Sequence, residues 1–332
     1  MSKKYGVSIV GCGSIGALKP DDIDYAGGSN ILTHAHEVYM NDHFYISSLI
    51  DKHKVKATNA GMKWDCLCSN DYAVLAHSRP DIVVIATPTR HHLESLINVF
   101  DHWKPEIIVM EKPCGENAAQ CFEIMKLCVV KGVKLFVNYN RAYNPYFMGL
   151  KTTLRQEKVL SCTLTYNRGL IREASHFIQL CNMWFGKHQE SYNISERFGM
   201  PSFADFSPED TTDCVVMKYE NCPQIFMIPI DGNECGLFEI DILTDAHRYM
   251  IVDNGNQIVT FPVDSTGTYG HYPTVKWNSR AKADTHLSSM GLRFLYRSIL
   301  DSFISPNLHI LCGGQDALAI HQIYEKEETC LH

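Results

Sequence analysis

Apolar residues in the first 140 positions fall into short dense runs separated by stretches with helical spacing. The runs at 5–10, 44–50, 81–86, 107–110 and 134–139 are rich in apolar and β-branched residues, as expected of parallel strands covered on both faces. Between them, residues 33–40, 70–77, 92–100 and 117–130 predict helices. Such alternation predicts an α/β fold built on a doubly wound parallel sheet. After about Pro145 the texture changes. Residues 173–185 predict a helix carrying Phe177, Cys181 and Trp184, and the stretches 213–219, 224–230, 237–243 and 248–252 read as strands. A long amphipathic helix is expected over 284–303, with Asp284 as its cap. The chain therefore divides into an α/β domain, 1–145, and an α+β domain, 146–332, with a large, mostly antiparallel open sheet. No internal repeat or low-complexity linker interrupts it.

Composition narrows the choice of partners. The chain has 332 residues, 45% apolar and 20% charged, close to ordinary globular usage and enough for two cores. A formal charge of -7 argues against nucleic acid or an anionic membrane surface as partner. No apolar stretch reaches the roughly 18 residues of a membrane span, and no signal peptide is expected. Thirteen scattered cysteines, several within apolar stretches, suit buried thiols in a reduced, cytoplasmic protein. Cys66 and Cys68 have no second ligand pair at zinc-site spacing, so no metal is expected.

The first strand runs into Gly11-Cys12-Gly13-Ser14-Ile15-Gly16. In this motif the first glycine permits a tight turn, the second lets backbone approach a pyrophosphate, and the third lets helix and strand pack closely. With a strand before it and a sheet after it, the motif predicts a Rossmann dinucleotide site. Asp51, ending the second strand, suits the ribose hydroxyls and favours NAD. NADP is not excluded, because Lys52 and Lys54 follow at once. Asp51 lies well beyond the usual spacing of about 20 residues after the glycines. Residues 17–30 supply the excess and read as an inserted loop, either a surface excursion or a flap over the site.

Four further blocks occur in order: Arg79 to Pro88 (RPDIVVIATP) with His92, then Glu111-Lys112-Pro113, then Asn140-Arg141 with Pro145, then His176 with Trp184-Phe185-Gly186. Together they resemble the glucose-fructose oxidoreductase / inositol dehydrogenase / rhizopine-catabolism (Gfo/Idh/MocA) family. The resemblance implies hydride transfer at a carbinol carbon of a sugar or sugar derivative, and a homodimer or homotetramer built through the C-terminal sheet. It implies cofactor contacts from Gly11, Gly13, Ser14, Ile15, Gly16, Asp51, Thr87, Pro88, His92, Glu111 and Lys112. Lys112, next to an often cis Lys-Pro bond, would contact the reacting hydroxyl, and His176 would carry the proton. Those roles make chemical sense: a histidine titrates near neutrality, and a cation steadies a developing alkoxide. His34, His36 and His91 read as structural or cofactor-adjacent.

Many relatives carry aspartates four residues before the helix histidine and three after it. Here those positions hold Arg172 and Gln179. Arg172, with Arg168, Arg141 and Gln179 beside it in the substrate site, can clamp a sugar acid, sugar phosphate or nucleotide sugar. The competing reading of Arg172 is an ion pair with Glu173. Two other functions stay open: a catalytically idle nucleotide-binding sensor or scaffold, and a reductase of a non-sugar substrate.

Overall fold

The computed structural model describes residues 3–25, 28, 30–198, 210–264, 273–275, 282–284, 290–305, 307 and 309–328. They form two compact units, one of residues 1–143 and 289–321, the other of 144–288 and 322–332.

The first unit begins with β1 (Tyr5–Val10), α1 (His34–Met40), β2 (Phe44–Ile50), α2 (Lys54–Trp64) and β3 (Cys68–Ser69). It continues with β4 (Ile82–Ile85), α3 (His92–His102), β5 (Ile107–Met110), α4 (Ala118–Lys131) and β6 (Lys134–Val137). The six strands are parallel, in the order β3-β2-β1-β4-β5-β6. Every residue of β4 and β5 is buried, which explains their unbroken apolar runs. Strand order reverses between β1 and β4, and ligands of such sheets bind beyond the strand ends at that switch point. Local signals fix the helix ends. Thr33 Oγ1 accepts from His36 N, Asn117 Oδ1 accepts from Gln120 N, and Gly132 ends α4 at φ 69°.

In the second unit, α5 (Pro145–Leu154) and β7 (Val159–Tyr166) lead to α6 (Ser175–Phe185). Then come β8 (His188–Phe198), β9 (Thr212–Tyr219), β10 (Cys222–Pro229), β11 (Phe238–Thr244), β12 (His247–Val252), β13 (Gln257–Asp264), β14 (Thr274–Val275) and β15 (Lys282–Asp284). One sheet takes them all in the order β14-β13-β12-β11-β7-β10-β9-β8, with β15 also on β13. Among the described strands of this sheet, only the β7–β10 pairing is parallel. One face is buried through Cys162, Leu164, Met217, Ile225, Met227, Ile240 and Ile242. From α6, Phe185 sets its ring 6.4 Å from that of Tyr219. Tyr192, Phe226 and Ile228 are exposed.

Two helices close the chain, α7 (Met290–Ile304) and α8 (Gly314–Glu328). The helix expected over 284–303 is described over Met290–Ile304, residues 285–289 lie outside the described residues, and Asp284 is a strand residue paired with Ile258. The single cut expected at 145 also fails to describe α7, which returns to the first unit. Its stripe of Leu292, Leu295, Tyr296 and Ile299 is buried there. Gly291 meets the turn Asn140–Tyr143 so closely that a Cβ would stand 2.6 Å from the Asn140 carbonyl oxygen, and Phe303 stacks on Tyr5 with ring centres 4.0 Å apart. The helix expected over 70–77 is a short 3-10 turn, Ala73–Ser78. All cysteines among the described residues are free thiols; Cys330 lies outside them. No helix among the described residues is long and apolar enough to cross a membrane.

Candidate active site

The glycine turn after β1 is shaped by close approaches. Gly11 has φ 98°, and a Cβ on it would lie 2.6 Å from the Ala86 carbonyl group, so the turn passes β4 only as glycine. A Cβ on Gly16 would stand 1.9 Å from Gly11 O. A Cβ on Gly13 meets nothing within 4 Å. The first and third glycines thus seal the turn, while the second leaves backbone open to a ligand. These residues fit the pyrophosphate of a dinucleotide.

The excess length is explained by hydrogen bonds. Ala17 N and Leu18 N both donate to Gly13 O at 3.0 Å, starting one helical turn. The chain then leaves and returns, with His34 N donating to Ile15 O at 3.0 Å and Ala35 N to Gly16 O at 2.9 Å. In an uninterrupted helix those carbonyls accept from residues 19 and 20. The first helix is therefore one helix split by 15 inserted residues, 19–33, rather than by a loop over 17–30. Without them Asp51 stands 20 residues after Gly16, the spacing expected of a ribose acid. The described part of the insertion is tied to the scaffold. Buried Asp24 accepts from Thr33 Oγ1 at 3.0 Å and pairs with His36 Nδ1 at 2.7 Å. Lys63 of α2 donates to Lys19 O and pairs with Asp21, and Trp64 Nε1 donates to Ala17 O.

Asp51 braces the same region. Its carboxylate accepts from Cys12 N at 2.9 Å and from His53 N at 2.8 Å, with lone pairs to spare for ribose hydroxyls. Burial, with Asp51, Cys66 and Cys68 nearby, pushes the Cys12 thiol far up. It therefore stays neutral and adds no charge against a phosphate.

The loops after β4 and β5 carry the next group. Thr87 and Pro88 follow β4, and the Lys112–Pro113 peptide after β5 is cis. His92 joins the two loops: Nε2 is 2.9 Å from Thr87 O and Nδ1 is 3.1 Å from Cys114 O. Burial pulls its pKa down despite those carbonyls and Glu111. Glu111 points its carboxylate into the unit, where Oε1 meets His34 Nε2 at 2.9 Å and Asn138 Nδ2 at 2.6 Å. Burial alone would raise the Glu111 pKa; the His34 bond and charge, Asn138 and Lys112 bring the net shift downward. Among the expected cofactor contacts, His92 and Glu111 thus spend their polar atoms inside the unit and frame the loops. Arg141 lies in the first unit too, on the turn Asn140–Tyr143.

In the second unit the residues before and along α6 form a second cluster. A π-helical turn, Leu170–Ala174, leads directly into α6, a geometry frequent at functional sites. Asp210 caps it, accepting from Ile171 N at 2.8 Å and Arg172 N at 2.9 Å. Gly169, at φ 88°, makes room, since a Cβ there would fall 2.2 Å from Asp210 Oδ2. Arg168 Nε lies 3.2 Å from Glu173 Oε2, and the Glu173 charge acts on Arg172 as well. Arg172 is half-buried; burial drives its pKa down to about 10, Glu173 and Asp210 oppose this, and Arg168 adds to it. His176 and Gln179 are buried on α6. Asp210 escaped the sequence reading because its turn lies about 40 residues earlier. Asn138 and Tyr296 escaped because each sits on an element read only as packing.

No curated protein matches the chain in sequence at a significant level. Among solved structures, the dehydrogenase MviM from Clostridium difficile is similar at 15% identity and TM-score 0.73, covering 99% of this chain and 100% of that one. An oxidoreductase from Agrobacterium radiobacter in complex with NAD+, L-tartaric acid and magnesium is 13% identical at TM-score 0.72, covering 98% and 96%. The WlbA dehydrogenase from Bordetella pertussis, in complex with NADH and UDP-GlcNAcA, is 15% identical at TM-score 0.70, covering 99% and 98%. These likenesses show the fold along nearly the whole chain. Residues 6–139 match the family GFO_IDH_MocA, described as an oxidoreductase family with a NAD-binding Rossmann fold. Over those residues, the chain is similar to the NAD-binding Rossmann domain of that oxidoreductase family.

Proposed function

We propose that this chain is a NAD(H)-dependent dehydrogenase or reductase acting on a hydroxyl or keto carbon of an anionic sugar derivative. The observation that carries the reading is the sealed glycine turn, open only at Gly13, in a domain of a NAD-binding family. Gly11, Gly13, Ser14, Ile15 and Gly16 would hold the pyrophosphate, Asp51 the ribose, and Thr87 and Pro88 the adjoining edge. The cofactor, when bound, supplies or accepts the hydride.

The protein's own groups then handle charge and protons. Lys112 donates to the reacting oxygen and offsets negative charge as it grows there, because a fixed cation costs no reorganisation during the reaction. His176 takes the hydroxyl proton during oxidation and returns it during reduction. Arg172 binds an anionic group of the substrate, with Arg168 adding positive potential and Gln179 a polar contact; Arg141 is assigned to the same substrate. Support for the anion comes from burial, since a guanidinium held half out of water gains most from a carboxylate or phosphate partner. UDP-GlcNAcA, the ligand in the WlbA structure, has both groups and is the first substrate to try. The exposed apolar residues of the second sheet would join copies into a homodimer or homotetramer, and a cytoplasmic setting suits the free thiols.

NADH fluorescence titration followed by turnover assays tests the reading. The expectation is micromolar NADH binding and NAD+-dependent oxidation of UDP-GlcNAcA or a free sugar acid in preference to neutral sugars. Absence of NADH binding would sink it. Tight NADH binding with no turnover on such a panel would instead favour a regulator that keeps the nucleotide fold.

A further inference from the structure

The Glu111 carboxylate is held by partners that neither a cofactor nor a substrate requires. His34 Nε2 and Asn138 Nδ2 converge on the same oxygen, Oε1. On the other side of the imidazole, Nδ1 lies 3.1 Å from the Tyr296 hydroxyl. All four side chains are buried. The ring bridges the two, with Nε2 facing Oε1 and Nδ1 facing the Tyr296 hydroxyl. Lys112 is the next residue and acts on Glu111 through its charge. Among the described residues, His92 on α3 and Glu37 on α1 also act on this cluster through charge, the latter on Tyr296 of α7, and Glu37 in turn feels Arg293 of α7 and His36 of α1.

We propose that His34 is a positioning residue for Lys112, acting through Glu111: with Asn138 and Tyr296 it keeps Glu111 a carboxylate, and that negative charge holds Lys112 as an ammonium. A buried carboxylate stripped of its donors takes up a proton instead of keeping its charge. Lys112 then loses the negative charge on the residue before it, and its neutral amine fraction rises. The inference rests on Lys112 being the cation at the reacting hydroxyl, but it can be read from Lys112 directly, without turnover.

Competitive acetylation with acetic anhydride, read by peptide mass spectrometry across pH, reports the free amine at Lys112. NADH affinity and Tm are measured beside it. Lys112 in His34→Ala and in Glu111→Gln should acetylate about threefold faster than in the wild type at pH 8, equivalent to about half a pKa unit. His34→Gln, whose amide can replace the Nε2–H donor, should return the rate close to wild type. Tyr296→Phe, which removes one hydroxyl, should give an intermediate rate and carries the comparison if His34→Ala does not fold. The inference is overturned if Glu111→Gln speeds the reaction while neither His34→Ala nor Tyr296→Phe does, or if Glu111→Gln itself has no effect. A uniform rise at all lysines also overturns it, since that reports a loosened fold. A protein that binds no NADH yet shows the His34 effect would defeat the functional reading and leave this link standing.

Discussion

Arg172 shows what one residue adds to an inherited framework. The position four before the α6 histidine is an aspartate in many relatives and would raise the basicity of that histidine. Here an arginine occupies it, its backbone N–H fixed by Asp210 and its neighbour Glu173 paired with Arg168. A side chain fixed at its base and short of water is suited to bidentate binding of an anion. Arg172→Ala should raise KM for UDP-GlcNAcA about tenfold or more, the loss of about 1.4 kcal/mol or more of binding, with a smaller change in kcat. Arg172→Lys should recover only part, because an ammonium lacks the planar fork. Steady-state kinetics with a neutral sugar as control decides the matter, and an unchanged KM would remove Arg172 from the substrate site. Asp210 belongs beside it as the residue that shapes its turn. Asp210→Ala, which removes the carboxylate acceptors of two backbone N–H groups, should cost about 1–3 kcal/mol of stability by chemical denaturation.

At the scale of elements, the split first helix separates what periodicity can report from what it cannot. The strands of the first sheet other than the two-residue β3 were legible because burial on both faces forces unbroken apolar runs, as in Ile82–Ile85. The helix Lys54–Trp64 was not, since it buries Ala57, Ala60, Gly61 and Trp64, mostly small residues that leave a weak apolar stripe. The glycine turn and Asp51 were legible as motifs, yet their odd spacing made sense only once His34 N and Ala35 N were found bonded to Ile15 O and Gly16 O. Long-range pairings such as His34 with Glu111, 77 positions apart, leave no periodic trace. If residues 19–33 interrupt one helix, excising them and joining Leu18 to His34 should give a folded chain with a continuous α1. Far-UV circular dichroism should show helix retained or slightly increased, and NADH affinity should stay within about tenfold, 1.4 kcal/mol. His36 loses Asp24 in that variant, so Tm should fall. A chain that cannot fold even as His36→Leu, which removes the stranded imidazole, would contradict the interrupted-helix geometry.

For the molecule as a whole, the buried groups of the first unit predict how stability follows pH. His92 braces the loops after β4 and β5, and burial keeps its folded pKa below the usual 6.5. A histidine with a depressed folded pKa contributes stability that is fully present above its unfolded pKa and is lost as pH falls toward the folded value. Glu111 is also depressed, from 4.5, so its contribution is intact above that value and disappears only in stronger acid. The two windows open at different pH, that of His92 near 6.5 and that of Glu111 near 4.5. As pH falls below about 6.5, His92 contributes a slope of at most one proton, about 1.4 kcal/mol per pH unit. Tm should therefore drop as pH falls below that value in the wild type, and His92→Gln, less stable at pH 7 but unable to titrate, should show a shallower drop. Thermal denaturation at half-unit pH steps separates the cases. Equal slopes for the two proteins would mean that His92 protonates in the folded state as readily as in the unfolded one, and its bridge between Thr87 and Cys114 would then have to tolerate an imidazolium donating to both carbonyls.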